Sequence, residues 1–290
     1  MNKLNNPVYI ISLNNKSKYN FNNIFNNVNI YNAIDSRKYD INQLLDKKII
    51  SWRVFNDIKN GRKDHFGFVG LGGIGLYLTH RKLFKELENL NLNTNILICE
   101  DDCNIKNEKE FIRKIKLLNN YKNFDCAIFG GIKLKNNMNI IDKQFINSNN
   151  ILNNNVILNN TEINKQINKD FENLKTDFIL YHSSLWSPNG IKKVNMYLND
   201  IIEFQIDGFL SKLAINNKLN ILLEKTPTTN QFIHKSTLNN DSQCKICDMD
   251  AKSKKFFKNI HDIIKEYTLL IVLVIFTVIY IILIFTKKQN

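Results

Sequence analysis

Ile96-Leu97-Ile98-Cys99-Glu100-Asp101-Asp102 is an apolar run that ends on three consecutive carboxylates. An uninterrupted Ile/Leu/Ile/Cys segment reads as a strand buried on both faces of a sheet, and in open α/β sheets ligands bind beyond the carboxyl ends of such strands. Three adjacent acids at that edge repel one another unless a cation sits among them. Hard oxygen ligands of this kind suit Mg²⁺ or Mn²⁺, shared with the phosphates of a bound nucleotide. The competing reading is a solvated turn that merely ends the strand.

Around this stretch, strands and helices alternate. Val8–Leu13 reads as a first buried strand and Val28–Ala33 as a second, followed by a helical stretch over Ile41–Ile58. Leu76, Leu78, Leu83, Phe84 and Leu87 repeat at helical spacing, Phe111–Leu118 reads as a short helix, and Phe124–Phe129 as a strand running into Gly130-Gly131. Residues 136–170 are Asn-rich and read as an insertion or loop. A helix starts at Pro188, Ile201–Leu213 reads as helical around Asp207, Leu219–Leu223 makes a last strand, and Pro227–Leu238 runs outward. The alternation argues a mostly parallel α/β sheet.

With 290 residues, 43% of them hydrophobic, the chain can bury one good core, assigned to residues 1–238. The net charge of +13 comes from scattered lysines, which suit an anionic nucleotide sugar or a lipid surface. No basic, aromatic-rich motif appears, so no specific nucleic-acid partner is expected. Five cysteines, an odd number, and no N-terminal signal peptide point to a reduced compartment. Cys244-Lys-Ile-Cys247 is a lone CxxC without the second pair that a four-cysteine zinc site needs.

Residues 267–286 carry no charge, and Leu269–Phe285 is nearly all Leu, Ile, Val and Phe. A helix of that length crosses the hydrocarbon core of roughly 30 Å, so a single-pass C-terminal membrane anchor is expected. Residues 239–266 form a basic juxtamembrane linker, with Lys252, Lys254, Lys255, Lys258 and Lys265 against only Lys287 and Lys288 beyond the span. That bias places the large domain in the cytosol.

Gly70-Leu-Gly72-Gly-Ile-Gly75 satisfies GxGxxG, and taken literally it is a dinucleotide fingerprint that would make the chain an NAD(P)-binding oxidoreductase. Against this stand a preceding strand of little more than Phe66–Val69 and three acids where a ribose needs one. A longer match covers the same residues. Gly72-Gly-Ile-Gly75-Leu-Tyr-Leu-Thr79-His80-Arg-Lys-Leu-Phe84 resembles "GEIGCALSHRKLW" of glycosyltransferase family 25, where a strand ending in Glu-Asp-Asp follows, as Glu100-Asp101-Asp102 does here. Val8–Leu13 resembles "VYVINL", Ala33-Ile-Asp35 "AIDG", Phe124–Gly130 "WDIIYLG", Tyr181–Gly190 "AYLISRKGA" and Gln205–Leu210 "PVDEFL", all in the family's order. Gly73 stands in place of a common acid, and the region after Gly131 does not match.

The resemblance implies a GT-A type, Rossmann-like nucleotide-sugar transferase. Such an enzyme moves a hexose, galactose or glucose, from a UDP-sugar to a glycan, lipid or protein hydroxyl with inversion, using Mn²⁺ or Mg²⁺. Asp102 is then the direct metal ligand, Asp101 supports it, and His234 is a further candidate ligand. Glu100 is expected to reach the ribose or sugar, and Ser12, Leu13, Ala33 and Asp35 to frame the nucleoside. Asp207 is the candidate general base, its alternative being a helix-surface acid. His80 either lines the donor pocket or packs and caps its helix. A catalytically inactive, membrane-tethered sugar-binding module is the non-enzymatic alternative.

Cytosolic placement is checked on three glycosylation sequons, at Asn15, Asn159 and Asn240. Treating the full chain, expressed in a eukaryotic cell, with an N-glycosidase should leave its mass unchanged. A glycosidase-sensitive shift would put the large domain on the lumenal side.

Overall fold

The computed structural model describes residues 3–17, 19–62, 66–134, 162–198 and 201–231. The first strand, β1 (Leu4–Ser12), buries Val8, Ile10 and Ile11, and β2 (Phe25–Asn32) runs parallel beside it. The stretch expected as one helix over 41–58 is two, α1 (Ile41–Asp46) and α2 (Trp52–Asn60). The break has a local cause. Lys48 takes a left-handed φ of 53°, Ile50 leaves the helical path to bridge Ile202, and the Ser51 hydroxyl then accepts from the Val54 N–H to cap the second helix.

The long helix α3 (Leu71–Asn89) buries Ile74, Tyr77, Leu78, Leu83, Phe84 and Leu87, and leads to β3 (Ile96–Glu100). A tight turn at Asp101-Asp102 joins β3 to β4 (Cys103–Ile105). Then come α4 (Glu108–Asn120), β5 (Cys126–Ile128) and β6 (Ile132–Lys133). The Asn-rich stretch ends in helix α5 (Glu162–Asp170), which corrects its reading as loop there; residues 135–161 lie outside the described ones. There follow β7 (Phe171–Asn173), β8 (Phe178–Ile179), β9 (Ser183–Trp186) and α6 (Pro188–Asn195). Helix α7 (Ile206–Ile215) begins five residues later than expected, because Ile202 pairs with Ile50 and holds the preceding chain extended. After β10 (Ile221–Glu224) the chain does not run outward as expected. Thr228 and Thr229 are buried, and β11 (Thr229–Gln231) pairs antiparallel with β4.

The main sheet has seven strands in the order β2-β1-β3-β9-β5-β10-β7. β2, β1 and β3 are parallel, β5 and β10 run the same way, and β9 and β7 are reversed. This mixed α/β architecture with a mostly parallel sheet fits a Rossmann-like fold. Alternation along β3 divides the core into two layers. Ile96 and Ile98 join the cluster that contains α3, whereas Leu97 and Cys99 join the one that contains α4. Both faces are covered, which is why that strand is apolar without interruption.

The glycine-rich segment lies at the cap and in the first turns of α3, and the element directly before it among the described residues is helix α2, not a strand. A dinucleotide fingerprint needs a strand, a turn and then a helix, so the oxidoreductase reading does not hold. The glycines serve packing instead. A methyl group on Gly75 would lie 2.3 Å from the Ile34 carbonyl oxygen and 2.6 Å from the Ser36 hydroxyl. Thr79 reinforces the contact, its hydroxyl accepting from the Ile34 N–H at 2.8 Å and donating to the Gly75 carbonyl at 2.6 Å. Thus α3 is pulled onto the segment that leaves the carboxyl end of β2.

A second fastening lies beneath β5 and β10. Glu224, fully buried, accepts from Lys114 Nζ at 2.8 Å, the Gly130 N–H at 3.1 Å, the Thr228 N–H at 2.9 Å and the Thr228 hydroxyl at 2.7 Å. Lys114, itself buried, also donates to the Thr226 carbonyl.

No helix among the described residues is long and apolar enough to cross a membrane. The expected linker over 239–266 and span over 267–286 lie outside the described residues.

Gly75→Ala should lower stability by about 1–3 kcal/mol, roughly 2–4 °C in Tm per kcal/mol, although alanine is the better helix former. Thermal unfolding of the two proteins checks this. An unchanged or raised Tm would show that the helix and the 34–36 segment are not in close contact.

Candidate active site

The register brings four segments to one edge of the sheet. Ile11 pairs with Glu100, Cys99 with Ser183, and Ile128 with Ser184. Because β9 runs backwards, its first residues stand level with the last residues of β1, β3 and β5. Ser12, Glu100, His182 and Gly130 therefore share the edge where open α/β sheets bind ligands. Two backbone bonds lock the arrangement: the Glu100 N–H donates to the His182 carbonyl and the Phe129 N–H to the Ser183 carbonyl, each at 3.0 Å.

Ser12 and Asp101 meet directly. The buried Ser12 hydroxyl donates to Asp101 Oδ2 at 2.8 Å and accepts from the N–H groups of Asn14 and Lys16, which shapes the turn after β1. Leu13, next along, is exposed. The Ala33 N–H donates to the Ser12 carbonyl at 2.9 Å, extending the β1–β2 ladder one residue beyond β2. Asp35 caps the short 3₁₀ turn at Ser36–Lys38 and pairs with Arg37 at 2.7 Å; that guanidinium holds its carboxyl below the usual range.

Glu100 is the most perturbed of the acids. Burial, followed by the charges of Asp102, Asp101 and Asp207, raises its pKa well above the ordinary carboxylate range. Gln231, delivered by β11, donates to Glu100 Oε2 at 3.4 Å. Asp207 sits in the first turn of α7, where the Gly208 N–H donates to its Oδ1 at 2.9 Å. Burial pushes its pKa up to about 6, against the opposing pull of the Gly208 and Asp207 N–H groups and the Arg62 charge. Thus the acid of α7 and the acidic turn after β3 act on each other electrostatically. Among the described residues, no three His, Cys, Asp or Glu side chains form a ready metal cage. The donor set suits a hard cation that takes its remaining oxygens from a ligand and water, as Mg²⁺ usually does.

Two histidines are buried in this half of the molecule. His80 is buried in α3, where its Nδ1–H donates to the Leu76 carbonyl at 3.0 Å and its ring lies against Phe84 and Tyr181. Burial lowers its pKa to about 4. His182, to which sequence reasoning gave no role, shares a hydrogen bond between its Nε2 and the Thr229 hydroxyl at 3.1 Å. Burial brings its pKa to about 4 as well. Gly130, with φ of +73°, leaves no room for a side chain: a methyl there would lie 2.6 Å from both His182 Nε2 and Thr229 Oγ1. Tyr181-His182 lies inside a segment that the sequence marks by resemblance. Gln231 has no such signal, since its place depends on β11 returning to β4. His234 lies outside the described residues.

The sequence model of glycosyltransferase family 25 (LPS biosynthesis protein) matches residues 5–210 of this chain. The chain belongs to glycosyltransferase family 25. It is therefore a glycosyltransferase, using a sugar donor and a glycan acceptor. The matched region includes the acidic turn and Asp207, whereas β10 and β11, which bring Glu224 and Gln231, lie beyond it. No curated protein matches the chain.

The histidines give this glycosyltransferase a stability that depends on pH. Each has a folded pKa of about 4 against 6.5 unfolded, so the unfolded chain binds protons first as pH falls. Stability is full above 6.5 and declines towards 4, by roughly 2 kcal/mol per histidine at pH 5. Urea unfolding at pH 7.5 and pH 5 should show this loss, and His80→Gln should reduce it. The raised carboxyls of Glu100 and Asp207 act in the opposite sense over this range, so the histidine is read from the difference between the two proteins. The same pH dependence in wild type and His80→Gln would contradict the buried, neutral state of the His80 ring.

Proposed function

We propose that this family 25 enzyme is an inverting hexosyltransferase of the GT-A type. On this reading it takes galactose or glucose from a UDP-sugar with the help of Mn²⁺ or Mg²⁺, and the apolar run at 267–286 anchors it to a membrane. The observation that carries the reading is the gathering of Glu100, Asp101, Asp102 and Asp207 at the carboxyl edge of the sheet, where burial, and after it the repulsion of the other three acids, raises Glu100. A bound cation would relieve that repulsion and, as a Lewis acid, offset the charge that grows on the departing diphosphate.

In this proposal Asp101 and Asp102 are the acids that hold the metal, with His234 as a further candidate ligand. Ser12 fixes the orientation of Asp101 through the 2.8 Å hydrogen bond, so the turn is set before any ligand arrives. Glu100 faces the ribose or the transferred sugar, and in its protonated state it can donate a hydrogen bond to a hydroxyl. Leu13, Ala33 and Asp35 frame the nucleoside, and His80 backs the pocket from the helix behind it. Asp207 takes the proton of the acceptor hydroxyl as that oxygen attacks the anomeric carbon from the face opposite the diphosphate. A carboxylate with a pKa near 6 is a better base than an ordinary surface acid.

Two measurements test these roles. UDP binding, followed by calorimetry, should strengthen with Mn²⁺ over chelator, and Asp102→Asn should abolish that gain without unfolding the protein. Equal affinity in Mn²⁺ and chelator would remove the metal from the scheme. For the base, kcat/KM should rise with pH through about 6 and then level off, because only ionised Asp207 accepts a proton. Asp207→Asn should lower transfer by about two to four orders of magnitude while UDP affinity stays near wild type. Near-normal turnover in that variant would return Asp207 to a structural role.

A further inference from the structure

A cavity of about 610 Å³ opens at the edge of the sheet opposite the acidic turn. Its lining includes Leu4 at the start of β1, Asn95 just before β3, Phe124 two residues before β5 and Ser187 just after the reversed β9. Three asparagines of the wall are fastened to one another. Asn6, 5% exposed, donates from Nδ2 to the Asn95 carbonyl at 2.8 Å and to Asn119 Oδ1 at 3.0 Å. Asn119 Nδ2 donates back to Asn6 Oδ1 at 2.8 Å, and Asn95 Nδ2 donates to Asn119 Oδ1 at 3.0 Å. These bonds fix the direction of each amide and leave Asn95 Oδ1 as an acceptor with no donor among the described residues. Asn93 and Thr94 beside it are exposed, and their side chains have no partner among the described residues either. Tyr121, half-buried, stacks on the buried Phe124 with ring centroids 6.3 Å apart and planes 8° from parallel, which gives the cavity an aromatic wall.

The chemistry of this lining selects a ligand. Its volume falls in the range of small-molecule sites. An apolar occupant would strip water from the amides of Asn93 and Asn95 and give nothing back, at about 1–3 kcal/mol for each polar group left unpaired. A ligand rich in hydroxyl groups suits them better, because each hydroxyl both donates and accepts. Such a ligand can donate to Asn95 Oδ1 and accept from the Asn93 amide and the Thr94 hydroxyl. An aromatic ring offers a negative face that attracts polarised C–H groups, and these line the flat side of a pyranose. Lys3 and Lys122 add two positive charges to the wall, and among the described residues no carboxylate lines it. We propose that the cavity binds a saccharide bearing a negative group, a carboxylate or a phosphate.

β3 crosses the sheet in five residues, so Asn95 and Glu100 stand roughly 16 Å apart along it. The cavity is thus separate from the acidic turn. A glycosyltransferase that holds a charged glycan here keeps that glycan near its own catalytic edge, since a second contact to one molecule raises the effective concentration at the first. Neither the metal nor the base assigned above takes part in this binding, so the cavity is tested apart from them.

Saturation-transfer NMR on the full chain in deuterated detergent tests this with glucuronic acid, glucose 6-phosphate and glucose as probes. Ring protons of glucuronic acid, of glucose 6-phosphate or of both should receive saturation, and which of them does separates carboxylate from phosphate. Glucose should bind about tenfold more weakly for want of the charge, and Lys122→Glu should weaken the anionic probe by about tenfold. Lys122 is exposed, so this variant keeps the fold. Asn93→Ala should weaken every probe with an unchanged Tm, its side chain having no partner to lose among the described residues. Excess UDP with Mg²⁺ should displace none of them. No transfer to either anionic sugar, glucose bound as tightly as both, or anionic binding kept in Lys122→Glu would overturn the proposal. Displacement by UDP would also overturn it, moving the sugar to the catalytic edge.

Discussion

The buried ion pair of Lys114 and Glu224 is the constraint on which the arrangement of the sheet edge depends. Glu224 holds α4 through Lys114, the end of β5 through the Gly130 N–H, and the chain beyond β10 through Thr228. All of its donors lie within the protein. A carboxylate in so little water is tolerated only when fully hydrogen-bonded, and removing one partner of such a pair costs far more than the pair contributes. With Thr228 held, Thr229 falls beside His182 and β11 falls on β4. Gln231 is thereby carried to Glu100. The surroundings of the acidic turn thus lean on a charge pair buried beneath the sheet.

The reversed strand β9 is the second determinant. Between β3 and β5 it turns the amino end of a strand towards an edge otherwise made of carboxyl ends, which places His182 next to Glu100. Its serines survive in the core because each has a partner. Ser184 donates to the Tyr181 hydroxyl, the Trp186 indole N–H donates to the same oxygen, and Ser183 meets Cys99. Polar residues inside a sheet are affordable on those terms alone.

The parts of the fold legible in the sequence were those whose environment leaves a continuous mark. β3 is covered on both faces, so Ile96–Cys99 is apolar throughout, and its end at three acids points to the site directly. The stripe of α3 is equally plain. The parts missed are set by distant partners. β11 is Thr-Asn-Gln, which reads as loop, and it is a strand only because β4 offers a ladder. The helix expected at 41–58 breaks because Ile50 is recruited by Ile202, far along the chain. Gly70–Gly75 carried a true signal under a false meaning: the spacing of a phosphate loop conceals the close approach of helix to backbone at Ile34. That the three acids and Asp207 come close together was legible from motif order, whereas the placement of His182 and Gln231 beside Glu100 required the topology.

The strand order also carries a consequence for how the molecule is made. β2, β1 and β3 come from the first hundred residues and can pair as soon as they leave the ribosome, but β9 must be inserted against β3 after β5 has been synthesised. Contacts of such long sequence separation form slowly, since the intervening chain must be ordered before it gains anything from them. The acidic turn is therefore among the early products of translation, while the residues that complete it, on α7 and β11, arrive among the last. A nascent chain stalled before residue 200 displays the three carboxylates without Asp207 or Gln231, so the surroundings of the acidic turn are completed in one late step.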